Sequence, residues 1–222
     1  MRKHHNNIKR QLLEEHVSHG NRVLDVGAGH GGDLLKWNTL GVRLDMCDPD
    51  KESLVEARKR ASQLPKNHMG LSIYEGDIMS TPNKKYDVIC YNFSIHYIFE
   101  TKQLFDTSLT NIRKRLKPGG KLIGCVPNSD FIMMHSSFTD EHGNFFARKE
   151  QDTGLGGWGE KLYVHMVDTP FYKDGPRPEP IAYKDLLVTR LQELDIHLVE
   201  WKPFVSLWKM SKMYSTFIFV SK

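Results

Sequence analysis

Three cysteines in 222 residues leave little room for sulfur-based metal or redox chemistry. Cys47, Cys90 and Cys125 each lie inside an apolar run, without the paired spacing of zinc ligands or of a CxxC couple. They read as reduced core residues of a cytosol-like compartment. No apolar run approaches the ~20 residues of a membrane span, and the opening MRKHHNNIKRQ has no apolar signal core. A soluble chain with no membrane partner is expected. Net charge is also small: 31 Lys and Arg against 27 Asp and Glu give a formal charge of +4, which permits a polyanionic partner without requiring one. Internal repeats and low-complexity tracts are absent. The length suits one α/β core and is short for two, so a single domain over residues 1–222 is expected.

What is present is alternation of short β-branched runs with segments of helical period, the pattern of an α/β, doubly wound sheet. It predicts helices over 8–17, 32–40, 50–64, 101–116 and 181–194, and strands over 22–28, 42–48, 71–77, 86–93, 121–127, 196–204 and 213–222. The KPGG after the fourth helix reads as a helix stop. Residues 128–180 break the rhythm with much Gly and Pro and read as an insertion of loops and short antiparallel strands. Insertions of this kind usually carry specificity.

The chemistry concentrates in VLDVGAGHGGD, residues 23–33. Gly27, Gly29 and Gly32 satisfy G-x-G-x-x-G between a strand and a helix, which suits a dinucleotide on the helix N-terminus. Asp48, ending the second strand, has the place of an acid that grips ribose hydroxyls, or alternatively of a helix N-cap before Pro49. Strand three ends in EGDI, where Asp77 can accept from an adenine amino group while Ile78 covers the ring. LDVGAGHGGD together with these two acids resembles the successive motifs of class I S-adenosylmethionine-dependent methyltransferases over most of residues 21–127.

The segments NNIKRQLL (6–13), GHGGDLLKW (29–37), NFSIHYIFE (92–100) and RPEPIAY (177–183) narrow that resemblance. Together they are similar to eukaryotic-type mRNA cap guanine-N7 methyltransferases over nearly the whole chain, with a first segment one residue shorter and lacking the family's aromatic. The resemblance implies a mostly parallel seven-stranded sheet with the last strand antiparallel, and an insertion after strand five (128–180) that contributes to the acceptor site. It implies transfer of methyl from S-adenosylmethionine to N7 of the guanine of the 5′ cap of mRNA, leaving S-adenosylhomocysteine. No metal and no catalytic acid or base is implied, only orientation and electrostatics. On the cofactor side it assigns Lys9 to the methionine carboxylate, Asp25, Gly27 and Gly29 to the methionine arm and Asp48 to the ribose. Asp77 and Ile78 fall on the adenine, and Asn92 and Phe93 flank the methyl donor. On the cap side it assigns His96 and Tyr97 to the guanine, Glu179 to its N1 and N2 edge, and Tyr214 to closing the pocket. Arg60, Asn7 and His30 go with the cap, Arg60 and His30 at its triphosphate.

Each assignment has a plain structural competitor: a solvated Lys9 or Arg60, a hydrogen-bonded structural His96, core aromatics for Phe93, Tyr97 and Tyr214, a loop acid for Glu179, and loop packing for His30. Two other functions also fit the chain: methylation of a small molecule with the same cofactor, and a non-catalytic RNA-binding capping subunit. The partners expected are 5′-capped RNA and a linked or associated triphosphatase and guanylyltransferase. Two settings are open: the methyltransferase part of a viral capping polypeptide in a cytoplasmic factory or virion, or a free-standing enzyme of cytoplasm or nucleus.

Overall fold

The architecture is that of a computed structural model, which describes residues 1–65, 70–148, 157–167 and 169–222. Helix α1 (Arg2–His16) precedes strand β1 (Arg22–Val26), and α2 (Leu34–Leu40), β2 (Arg43–Asp48), α3 (Lys51–Ser62) and β3 (Leu71–Glu75) complete two parallel strand–helix–strand units. β4 (Tyr86–Asn92), α4 (Lys102–Arg115) and β5 (Leu116–Pro127) follow. A short helix α5 (Ser129–Met134) leads into β6 (Ser137–Thr139), β7 (Phe145–Arg148), β8 (Lys161–His165) and β9 (Arg177–Pro180). The chain returns through α6 (Lys184–Gln192), β10 (Ile196–Pro203) and β11 (Tyr214–Ser221).

The main sheet has seven strands in the order β10-β11-β5-β4-β1-β2-β3, and β11 runs antiparallel to both of its neighbours. This is the expected sheet of class I methyltransferases. Alternation along the strands divides the core: Val23, Val88 and Cys90 face α1 and α2, whereas Leu24, Val26, Ile89 and Tyr91 face α4 and α6. All three cysteines are buried and unpaired. The insertion forms a second, antiparallel sheet, β6-β7-β8-β9, whose Phe146, Leu162 and Val164 join the α1-side core. No helix among the described residues is long and apolar enough to cross a membrane.

Several boundaries differ from expectation, each for a local reason. α1 begins at Arg2 rather than 8, because His5 continues the buried face of Leu12 and Leu13. α3 is capped by Asp50, whose carboxylate accepts from Glu52 N and Ser53 Oγ, so Asp48 is not the cap. KPGG does not separate helix from strand: β5 starts at Leu116, and residues between Leu116 and Lys121 bulge out of register with β4.

Strand order places the site. β1 lies between β2 and β4, so the chain leaves β1 and β4 in opposite directions and opens a crevice at their C-terminal ends.

Candidate active site

The glycine loop is held from below by main chain. Gly27 N and Ala28 N both donate to Cys47 O, at 2.9 and 3.1 Å. Gly27, Gly29 and Gly31 all have positive φ (72°, 50° and 70°). At Gly27 the need is doubly strict, since a Cβ would lie 2.4 Å from Ser94 Cβ, whose Oγ donates to Val26 O at 2.6 Å. A Cβ on Gly29 would meet nothing within 4 Å, so the loop faces open space there. Asp48 is 8% exposed, and its two carboxylate oxygens accept from Gly29 N (2.7 Å) and Asp50 N (2.8 Å). The same side chain therefore shapes the loop and presents an acid beside it.

Behind the loop lies a buried charge cluster. Asp33, ending the glycine segment, binds Lys9 at 2.9 Å and Lys36 at 2.6 Å, and accepts from Asn92 Nδ2 at 3.1 Å. Burial alone would raise the Asp33 pKa, but the two ammonium groups overcome it and hold the carboxyl below its ordinary value. For Lys9 burial opposes the charge, and Asp33 outweighs it. Lys9 is thus no solvated helix residue. Asn6 reaches Lys36 at 3.5 Å, whereas Asn7 is exposed on the other side of the helix turn. Asn92 Oδ1 is buried without a partner among the described residues, an acceptor left for a ligand.

Two cofactor-side assignments change. Asp25 is 4% exposed and accepts from Trp37 Nε1 at 2.8 Å; burial, then repulsion from Asp33, lifts its pKa to about 7. It anchors Trp37 beneath the loop instead of lining it. Ile78 is 1% exposed in the α4-side core, which leaves its side chain no surface to offer a ring. Asp77 remains half-open, with Oδ1 accepting from Met79 N at 2.9 Å.

On the acceptor side, β4 is followed by Phe93, a non-glycine residue at φ 60° whose N–H donates to Cys125 O at 2.8 Å. That conformation turns the chain sharply. The Phe93 ring touches both halves of the site: Lys9 Nζ lies 5.9 Å from its centroid, and the Tyr214 ring meets it edge-on at 5.2 Å. Beyond it, His96 is 2% exposed with both ring nitrogens unpartnered among the described residues, and the Tyr97 ring lies against it at 4.2 Å, tilted by 38°, while remaining 39% exposed.

Glu179, on β9, is buried rather than a loop acid. Its Oε2 lies 3.6 Å from His96 Nε2. This approach is not an ion pair at neutral pH, because burial pushes the His96 pKa down to about 3. Burial also lifts Glu179 to about 7, against a hydrogen bond from the Tyr172 hydroxyl. Tyr214 is buried, its hydroxyl 3.9 Å from Met166 Sδ.

His30 is exposed, so it does not pack into the loop, and it is close enough to act on the charges of Asp50 and Glu56. Glu56 in turn holds Arg60 Nε at 2.8 Å, which puts Arg60 and His30 on one surface.

Sequence reasoning missed His5, Asp33, Lys36 and Tyr172. His5 stacks on Phe93 at 5.8 Å, meets Tyr214 at 5.2 Å and bonds Ser211 Oγ at 2.9 Å, so it ties the first helix to the aromatic cluster. Extending the apolar period of α1 back one turn would have found it. Asp33 and Lys36, spaced i and i+3 at the start of a helix, were legible as a pair. Tyr172 carries no local signal.

The chain is 31% identical over 227 residues to the mRNA cap guanine-N(7) methyltransferase of Saccharomyces cerevisiae, covering 96% of this chain and 50% of that protein. It is 29% identical over 218 residues to that of Schizosaccharomyces pombe, covering 92% of this chain and 57% of that protein. It thus spans about half the length of these relatives. Among solved structures, the CcbJ methyltransferase of Streptomyces caelestis superposes with a TM-score of 0.72 at 16% identity, covering 98% of this chain and 96% of that one. The glycopeptide N-methyltransferase MtfA complexed with S-adenosylmethionine superposes at 0.65 with 16% identity, covering 96% and 93%. These two show the fold. Residues 1–217 match the model of the mRNA (guanine-N(7))-methyltransferase domain, and with a glycine loop, charge cluster and aromatic pocket set along one crevice, the chain belongs to that family.

Proposed function

We propose that this chain transfers a methyl group from S-adenosylmethionine to N7 of the guanine of an mRNA 5′ cap. The observation that carries the reading is the pair of half-sites linked through Phe93 and the Tyr214 ring it meets: a buried Lys9–Asp33 cluster on one side, and His96, Tyr97 and Glu179 on the other. The residues fit the cofactor: the unpartnered Asn92 Oδ1, the Asp33–Lys9 pair for an amino-acid zwitterion, and Asp48 for a ribose diol. When bound, it supplies a sulfonium methyl already activated for displacement.

The chain's own contribution is orientation. Guanine N7 carries a free lone pair, so no proton has to be removed. Holding nucleophile and methyl in near-attack geometry supplies roughly 7–11 kcal/mol, more than a general base usually gives. His96 and Glu179 offer a buried polar edge to the Watson–Crick face, where an unpaired group discriminates against bases of the wrong pattern. Methylation turns the base into a cation. The ring faces of Phe93, Tyr97 and Tyr214 and an ionised Glu179 favour that change. His30 and Arg60 share the surface proposed for the triphosphate.

An unmethylated cap requires prior removal of a phosphate from the RNA 5′ end and transfer of a guanylyl group, so triphosphatase and guanylyltransferase activities, linked or associated, are the partners this reading carries, in cytoplasm or nucleus. Incubation with methyl-labelled S-adenosylmethionine and GpppRNA, followed by digestion to nucleotides, is expected to yield label in 7-methylguanosine alone. Label on another nucleoside, or on none, overturns the reading.

A further inference from the structure

Tyr172 belongs to none of the motifs that carry the family resemblance, yet it touches the residue on which acceptor recognition turns. It closes a 3-10 turn, Pro170–Tyr172, in the insertion. The side chain is 7% exposed, edge-on to Phe171 at 4.9 Å and 6.4 Å from His165. Its hydroxyl donates to Glu179 Oε1. Oε2, the other oxygen, is left toward His96 Nε2 at 3.6 Å, too far for a hydrogen bond.

A buried carboxyl prefers its neutral form, and a neutral acid offers a guanine N1–H an O–H where an acceptor is needed. The groups facing Glu179 do little to prevent this. His96 is uncharged there, and Tyr97 and Tyr214 are phenols whose own ionisation burial, first, and then Glu179 oppose. Arg177, two residues away on the same strand, acts on Tyr97 and stacks over Phe171 at 4.7 Å. Only the Tyr172 hydroxyl donates a hydrogen bond to this carboxylate among the described residues.

We propose that Tyr172 is a positioning residue for the acceptor: its hydroxyl, bound to Oε1, holds Glu179 as an oriented anion with Oε2 free for the guanine edge. The inference rests on the cap reading above and deepens it. The insertion then supplies both the acid and the group that keeps the acid ionised.

Tyr172→Phe keeps the ring and removes the hydroxyl. In a chain labelled with 13Cδ-glutamate, with the Glu179 signal assigned by its loss in Glu179→Gln, the titration midpoint of Glu179 is expected to rise by about 1 in Tyr172→Phe. In methyl transfer to GpppRNA the variant is expected to show a KM for RNA roughly tenfold higher at pH 7 and within about threefold of wild type at pH 9, with kcat changed less. A merely structural role would lower activity equally at all pH. Coincident Glu179 titrations, or a KM ratio independent of pH, overturn the positioning role even where wild type methylates the cap. A wild-type chain inactive on GpppRNA overturns the acceptor reading and this role with it, while the NMR titration still reports the Tyr172–Glu179 contact. Should Tyr172→Phe not fold, 3-fluorotyrosine at position 172 replaces it. Its more acidic hydroxyl strengthens the donated bond, so the Glu179 midpoint is expected to fall, and an unmoved midpoint overturns the proposal.

Discussion

The two halves of the crevice are built by different means. The donor half is made largely of main chain: three glycines with positive φ, two amides seated on Cys47 O, and an Asp48 carboxylate held by one main-chain N–H on each oxygen, with acceptor capacity to spare. The acceptor half is made of side chains from four separate segments, and several of their polar atoms stay unsatisfied. The first arrangement is stable without a ligand. The second stores unmet hydrogen-bonding capacity, which a matching base can satisfy.

The comparison breaks most visibly at Asp33. Asp33→Ala leaves Lys9 and Lys36 buried without their counter-ion and is expected to cost roughly 3–5 kcal/mol in denaturant unfolding. A loss below ~1 kcal/mol would show that the donor half does not depend on this cluster for its stability.

A paired test comes next. Asp48→Ala is expected to weaken S-adenosylmethionine binding more than tenfold in calorimetry, since each charge-assisted bond is worth roughly 1.5–3 kcal/mol. Tyr97→Ala is expected to leave that affinity near wild type and to cut cap methylation by at least roughly tenfold through lost stacking. Equal effects of both variants on both readouts would erase the distinction between the halves.

Acid stability separates the halves by titration. His5 and His96 are held neutral by burial, with pKa values lowered from 6.5 to about 4 and about 3. Between pH 6.5 and 4 the unfolded chain binds protons that the folded chain refuses, so stability falls as pH falls through that window. His5→Phe is expected to lessen the fall by about 2 kcal/mol, seen as a smaller Tm difference between pH 7 and pH 4.5. An unchanged difference would mean that His5 titrates normally.

The smallest effect is expected at the exposed His30. His30→Lys should alter cap affinity by ~1 kcal/mol or less and steepen its dependence on salt. Identical profiles in a fluorescence binding titration would remove His30 from the triphosphate.

How much of this was legible follows the same division. The glycine loop and the succession of strands could be read because a backbone conformation leaves a spacing: Gly27 and Gly29 are required where φ is positive, and strand period marks the core, whereas the antiparallel last strand came with the family resemblance. Glu179, His96 and Tyr97 were proposed through short motifs resembling a known family. Tyr172 was not, because its position depends on how an insertion folds back on itself. Asp25 and Ile78 were misread for a related reason: a strand end is legible as a neighbourhood of the site, but the face to which a side chain turns is decided by packing, here by Trp37 and the α4-side core.

The place of β11 between β5 and β10 has a consequence for timing. Of the strands described, it leaves the ribosome last, and until it does β10 has no sheet neighbour and Tyr214 has not reached Phe93. α1, made before every strand described, likewise waits for Ser211 to receive His5. A nascent chain stalled before residue 211 therefore holds every residue of the glycine loop but lacks Ser211 for His5 and Tyr214 for Phe93, so these two closing contacts are the last that translation makes available.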